Sequence, residues 1–214
     1  ESTSIVRFCE YVGRPEESPR GEKMGRIYCV MGKSASGKDS IYHEVMKQEP
    51  ELLPIVPYTT RPIRQGEIEG REYHFCDETR VEELEKAHRI IELRAYDTVY
   101  GIWKYFTVAD EHIDLATQNY LYIVTLEGYE KMRSYFGADK VVPIYIEVED
   151  GQRLMRAIER ERRQGTPKYE EMCRRFLADA ADFSEEKLKK AGVETRFVNE
   201  DFDTTVQELS LIHI

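Results

Sequence analysis

Cysteine is scarce in this chain. There are four, Cys9, Cys29, Cys76 and Cys173, with no Cys-x-x-Cys pair and no dense framework. That excludes a disulfide scaffold and a zinc module, and the thiols read as reduced core filler in a cytoplasmic protein. The five histidines show no metal-ligand spacing. No apolar run approaches the roughly 18 residues of a membrane span, and no signal peptide is visible, so a membrane is not an expected partner. Positive charge is also in the minority. Against 31 Lys and Arg stand 41 Asp and Glu, a formal net charge of -10. Such a surface argues against nucleic acid or anionic lipid as partners, while leaving room for a local positive pocket.

What is present has a globular balance, 41% hydrophobic and 34% charged over 214 residues, enough for one domain with a sizeable core. Residues 1–23 are polar, charged and without sustained periodicity. A strand begins just after Met24, so Met24 is read as the native start and the preceding segment as an extension. The last six residues, "LSLIHI" (209–214), turn abruptly apolar after an amphipathic helix and are read as a terminal scar. Between them the elements alternate. "RIYCVM" is a short apolar run, and "KDSIYHEVMKQ" has helical spacing. "LLPIVPYTT" reads as one extended piece and "ETRVEELEKAHR" as a helix. "IIELRAY", "VYGIWKYFTV" and "NYLYIVTL" read as strands, and "EGYEKMRSYF" as a helix. "VVPIYIEVE" is a further strand, with Pro143 placed at an edge or a strand start. Helices follow over about 151–163 and 167–191, then strand "TRFVN" and a short helix over 202–208. The run "EEKLKKAG" reads as a solvated helix face ending at Gly192, and Trp103 with the many tyrosines as sheet packing. Apolar strands separated by helices predict an α/β fold, a parallel sheet covered on both faces. The short strands between about 57 and 106 break that rhythm and predict an inserted mixed-β subdomain.

Between the first strand and the first helix lies "GKSASGKDS". Gly32-x4-Gly37-Lys38 is the outline of a phosphate-binding loop, in which glycines let successive N–H groups wrap an anion. The following helix points its partial positive end at the same place, and Lys38 adds a full charge. The pattern arises by chance in roughly one chain in twenty of this length, so its position between strand and helix decides in its favour. The residue after the lysine is ordinarily Ser or Thr, and here it is Asp39. Three readings stand beside one another. Asp39 favours the helix N-terminus while pointing away from the phosphates, or it binds Mg²⁺ through a hard oxygen, or it repels the phosphates. The first is preferred, with the Ser40 hydroxyl one place later.

A second constellation is "YTTRPIRQGEIEGREYHF", where Arg61 and Arg64 stand three apart beside Glu67 and Tyr73. Two guanidinium groups and a phenol make a receptor for a dianionic phosphate monoester. By composition alone the stretch is equally a solvated charged loop.

From Thr59 to Phe75 the pattern Thr-Thr-Arg-Pro-x-Arg-x-Gly-Glu-x-x-Gly-x-x-Tyr-x-Phe resembles the acceptor-phosphate signature of the guanylate kinase family. The resemblance covers about residues 24–208 and includes, in order, "GKSASGKDS", "IIELRAYDTVYG", "GTPKYEEMCRRF" and "VNEDFDTTVQEL". It implies a P-loop, three-layer α/β core with an inserted acceptor-binding subdomain (57–106) and a helical lid (151–170). It also implies phosphorylation of a nucleoside monophosphate, GMP first among them, by ATP with Mg²⁺. Small-molecule nucleotides would then be the partners. By the same resemblance, Gly32, Lys33, Ser34, Ala35, Ser36, Gly37, Lys38, Asp39 and Ser40 would hold ATP, with Ser40 or Asp39 toward the metal and Asn199 against the adenine. Arg61, Arg64, Glu67, Tyr73 and Tyr100 would hold the acceptor phosphate, and Glu92 would accept from the N1 and amino group of guanine. Arg160, Arg163 and Arg175 would neutralise the phosphoryl in transit, although the lid arginine of the family falls on or next to Gln164. The chain departs from the pattern at Pro57 and Ile102, where the family has hydroxyl residues, and at Ile123 and Thr125, where it has an Asp-x-Asp. The implied phosphate machinery is intact while the base reader is altered. That leaves two alternatives open, a kinase of the same fold for another phosphorylated small molecule such as a ribose bisphosphate, and a non-catalytic binding module.

Overall fold

The computed structural model describes residues 25–98, 101–110 and 112–210. The first strand, β1 (Ile27–Met31), is buried along its whole length, and its side chains alternate between two cores as the two-residue strand period requires. Ile27, Cys29 and Met31 enter one core with helix α3 (Leu126–Phe136). Tyr28 and Val30 enter the other with α1 (Lys38–Gln48) and α7 (Phe202–Ser210). Around β1 forms a five-stranded parallel sheet. Its order is β2 (Leu52–Pro54), β7 (Asn119–Ile123), β1, β8 (Val141–Glu147), β9 (Arg196–Val198). Helices on both faces make the three layers. Among the described residues no helix is long and apolar enough to cross a membrane.

The second sheet is mixed, in the order β4 (His74–Phe75), β3 (Tyr58–Thr59), β6 (Gly101–Val108), β5 (Ile90–Thr98). Its apolar face, with Ile90, Phe106 and Val108, packs on Val81 and Leu84 of α2 (Glu78–Lys86). Registers Glu92↔Thr107 and Arg94↔Tyr105 put the polar members of β5 and β6 on the opposite face, since strand neighbours point to opposite sides.

Three segments differ from what their sequence predicts. The piece over "LLPIVPYTT" is two strands in two sheets. Pro54 and Pro57 lack the N–H that a continuing ladder needs, and the chain crosses between the sheets there. The single helix over 167–191 is two helices, α5 (Tyr169–Asp182) and α6 (Glu185–Lys190), because the Ser184 side chain caps α6 through the Lys187 N–H. Phe183 turns inward at the break to meet the Tyr145 ring, and Leu188 on the nominally solvated α6 is buried. The last helix runs two residues past 208, to Ser210, and Leu209 is 4% exposed in the core beside Val45 and Val206. At least the start of "LSLIHI" is therefore part of the packing, while residues 1–24 and 211–214 lie outside the described residues. Pro143 is the third residue of β8, an interior strand. It precedes Tyr145, where β9 begins to pair, so β8 is locally an edge at the proline, as predicted.

Packing of Leu209 gives a direct check. Leu209→Ala is expected to lower unfolding free energy by about 3 kcal/mol, the usual cost of truncating a buried leucine. Urea unfolding measures it, and an unchanged midpoint would return this residue to the status of an appended tail.

Candidate active site

At the carboxyl end of β1 the chain turns through Gly32 to Gly37 into α1. A side chain at Gly32 would sit 2.7 Å from the Ile146 carbonyl, and one at Gly37, whose φ is 86°, would sit 2.6 Å from the Asn199 amide nitrogen. Both glycines are thus required by close approach, and Gly37 also by its left-handed backbone. Ala35 shares that conformation at φ 62°. The loop carbonyls are tied from behind. Ser36 N–H donates to Lys33 C=O at 3.2 Å, Arg153 Nη1 to Ser34 C=O at 2.8 Å, and Asn199 Nδ2 to Ser36 C=O at 2.8 Å.

Arg153, on α4 (Asp150–Arg162), is the centre of this clamp and is 1% exposed. Its Nε and Nη2 reach Asp150 Oδ1 at 3.1 and 2.7 Å, its Nη1 lies 3.5 Å from Asp179 Oδ2, and its guanidinium covers the Phe176 ring. Asp179 in turn accepts from the Ser34 N–H at 2.8 Å. The Arg153 guanidinium, then Lys33, hold the Asp150 carboxyl below the usual carboxylate range. Sequence reasoning missed Arg153, Asp150 and Asp179, because nothing local links positions 119 and 145 residues apart. It placed Asn199 against the adenine, whereas the amide nitrogen is spent on the loop and the residue is 4% exposed.

Lys38 and Asp39 open α1 together, with Lys38 Nζ 3.0 Å from Asp39 Oδ2. Asp39 is thus the counter-ion of Lys38 as well as an acidic residue in the first turn of α1. Asp39 and Ser40 are exposed, so hard oxygens stand at the mouth of the loop, and the buried Ser36 hydroxyl has no partner among the described residues. No cluster of three His, Cys, Asp or Glu among those residues could hold a metal alone. The donor set therefore suits Mg²⁺ carried in on phosphates, the usual mode for an ion that keeps its waters and takes few protein ligands.

On the polar face of the second sheet, Arg61 is 3% exposed. It is forked onto Glu67, Nη1 to Oε2 at 3.0 Å and Nη2 to Oε1 at 2.8 Å, and lies over the Tyr73 and Phe75 rings. Nη1 also donates to Pro62 C=O, so at most two of its five N–H groups remain for a ligand. Glu67 additionally accepts from Arg64 N–H at 2.7 Å. The Arg61 fork, then this backbone bond, depress the Glu67 carboxyl, so the clamp is in force above the ordinary carboxylate range and fades as pH falls below it. Arg64 itself is exposed, with no ion pair among the described residues. Glu67, expected at the ligand, is instead what aims Arg61.

Glu92 is 8% exposed and accepts three hydrogen bonds. Arg94 Nε and Nη2 donate to its Oε2 and Oε1 at 3.1 and 3.3 Å, and Thr107 Oγ1 to Oε1 at 3.0 Å, with Tyr122 behind Thr107 at 2.7 Å. Arg94 and Thr107 were missed, although strand alternation places Arg94, two residues on, beside Glu92. Of the departures, Ile102 is 55% exposed, and Pro57 C=O accepts from His74 N–H. Ile123 packs on the second core, and Thr125 caps α3 through the Gly128 N–H. Tyr100 lies outside the described residues. Arg163 and Arg175 are exposed and paired with Glu159 and Glu171, while Arg160 is exposed without an ion pair among the described residues.

Comparison with known proteins agrees with this arrangement. A protein-family model for guanylate kinase matches residues 24–212. A guanylate kinase of Rhodopseudomonas palustris is 31% identical over 127 residues, covering 58% of this chain and 56% of that protein. One of Chromobacterium violaceum is 29% identical over 194 residues, covering 90% and 86%. The chain thus spans little more than half the length of the first relative and most of the second. The crystal structure of guanylate kinase from Anaplasma phagocytophilum superposes with a TM-score of 0.56 at 23% identity, over 90% of this chain and 86% of that one, a likeness of fold.

The clamp behind the loop is testable. Arg153→Met keeps the bulk but strands the Ser34 carbonyl and two carboxylates, and is expected to cost about 3 kcal/mol of stability by urea unfolding. A variant as stable as the parent would overturn the clamp.

Proposed function

Because the chain belongs to the guanylate kinase family, we propose that it transfers the γ-phosphoryl group of ATP to GMP, giving ADP and GDP. One observation carries this reading. The chain holds two separate anion receptors, the loop with Lys38 and the aromatic-backed Arg61 held by Glu67, as a reaction between two phosphate esters requires. Together they answer a chain whose net charge is -10 and which would otherwise repel both substrates.

In this mechanism the loop amides and Lys38 hold the donor phosphates, and Arg61, Arg64, Tyr73 and Tyr100 hold the acceptor monophosphate. An acceptor phosphate oxygen attacks the γ-phosphorus in line, and the bond to the ADP oxygen breaks. No side-chain nucleophile is needed, so catalysis is positioning plus charge neutralisation. Mg²⁺, held at Ser40 or Asp39, supplies neutralisation of the donor phosphates when bound. Arg160, Arg163 and Arg175 bring positive charge toward the phosphoryl in transit, and closure of the segment between α4 and α5 over the site excludes water. Arg163 and Arg175 first leave Glu159 and Glu171, exposed pairs worth about 1 kcal/mol or less.

A coupled ADP-release assay with GMP, dGMP, AMP, UMP and CMP tests the reading. GMP is expected to be the preferred acceptor, and Lys38→Ala to lower its turnover at least about 100-fold. Turnover of GMP no better than of the other monophosphates, or an active Lys38→Ala enzyme, refutes it.

A further inference from the structure

A carboxylate can recognise the N1–H and amino group of guanine but not its O6. Both carboxylate oxygens are acceptors, and O6 needs a donor. At Pro57 and Ile102, where the family pattern has hydroxyl residues, this chain has no donor side chain. A cation, Arg94, stands beside Glu92 on the same face of β5. The pair is asymmetric. Glu92 is 5% exposed at its side chain and Arg94 28%, so Arg94 is the more accessible member of the pair. Arg94 uses Nε and Nη2 on the carboxylate, which leaves Nη1 without a partner among the described residues. Glu92 Oε2 accepts from Arg94 Nε alone among those residues, and so keeps capacity for one N–H of a base, while Arg94 Nη2 and Thr107 fill Oε1.

Arg94 also shares its surroundings with the acceptor-phosphate residues. Burial raises the Tyr73 phenol's pKa, and the Arg61 and Arg94 charges both act against that rise. Tyr105, paired with Arg94 across the strands, meets the Tyr73 ring edge to face. Tyr105 thus links Arg94 to the Tyr73 and Arg61 receptor on this side of the sheet.

We propose that Arg94 is a specificity-determining residue that donates to O6 of the acceptor's guanine while Glu92 Oε2 accepts from the adjacent N1–H. The side-by-side carboxylate and guanidinium match the donor and acceptor order of the guanine edge. Arginine pairs with guanine O6 and N7 elsewhere in biology for the same reason. Adenine would direct its amino hydrogens at Arg94, leaving donor against donor, a mismatch that a polar pocket rejects strongly. This inference rests on the reading of the chain as a GMP kinase.

The test is steady-state kinetics of the full chain, as parent, Arg94→Met and Arg94→Lys, with GMP, IMP, AMP and 6-thio-GMP. 6-Thio-GMP keeps the N1–H and amino group but replaces O6 with a poor acceptor. The parent is expected to prefer GMP over 6-thio-GMP. In Arg94→Met, kcat/KM for GMP and IMP is expected to fall about 10- to 100-fold, the range for losing a hydrogen bond from a charged group. The value for 6-thio-GMP should move far less, so the preference collapses. The GMP-to-IMP ratio, which reports the amino group and not O6, should hold, and discrimination against AMP should shrink. Arg94→Lys should keep part of the O6 preference and serves if the methionine variant folds poorly. An equal loss with all acceptors would reduce Arg94 to a structural support of Glu92. A gain in GMP turnover would make it a blocker of the carboxylate. Either result overturns the inference while the parent remains a GMP kinase. A parent inactive on every monophosphate overturns the reading beneath it, and the inference falls with it.

Discussion

A loop that offers its N–H groups to an anion must have its carbonyls satisfied elsewhere, and this requirement organises the core. The carbonyls of Ser34 and Ser36 are held by Arg153 and Asn199. These come from α4, which follows β8, and from the end of β9, the two strands on one flank of β1. The parallel sheet order is thus what delivers a guanidinium and an amide to the back of the loop. A buried guanidinium is costly unless its charge and N–H groups are matched, and Asp150, Asp179 and the Ser34 carbonyl do that matching here. Because α4 and α5 both contribute, the two helices are coupled to the loop through one arginine.

The acceptor side repeats the device. Arg61 is held by Glu67 and Arg94 holds against Glu92, so each cation is oriented by a carboxylate before a ligand arrives. A bare buried arginine would carry a large desolvation penalty, and a freely rotating surface arginine would lose side-chain entropy on binding. Prepaired arginines avoid both, and their remaining N–H groups are aimed. Arg64, exposed and without an ion pair among the described residues, is spared this constraint.

These pairings mark the limit of what the sequence made legible. The alternating apolar run of β1, the loop after it and the Thr59–Phe75 stretch are local patterns, and they led to the sheet, the phosphate loop and Arg61. The breaks at Pro54–Pro57 and at Ser184 were also written locally, in proline chemistry and an N-cap serine, but were overridden by longer runs of helical or extended composition. Arg153 had no such signal, since its partners are distant in sequence and arginine on a charged helix looks like any solvated residue. Arg94 lay between these cases. The two-residue strand period pointed to it, yet its importance depends on Glu92 being buried, a property of the tertiary fold. The burial of Leu209 was not legible either, because its partner Val45 lies far away in the sequence.

Asp39 shows how magnitudes settle a site that residue types leave ambiguous. A carboxylate next to the loop lysine looks like an obstacle to phosphate, and in the ligand-free arrangement it does occupy Lys38 at 3.0 Å. Its side chain is 69% exposed, and exposed pairs of this kind contribute about 1 kcal/mol or less. A triphosphate brings several negative charges to the same lysine, together with loop N–H groups and the helix end, none of which Asp39 engages among the described residues. The competition therefore favours the nucleotide, and a displaced Asp39 remains within one helical residue of Ser40 as a second hard oxygen. The same carboxylate neutralises Lys38 in this arrangement and yields it to a polyanion, so its presence is compatible with a working phosphate loop.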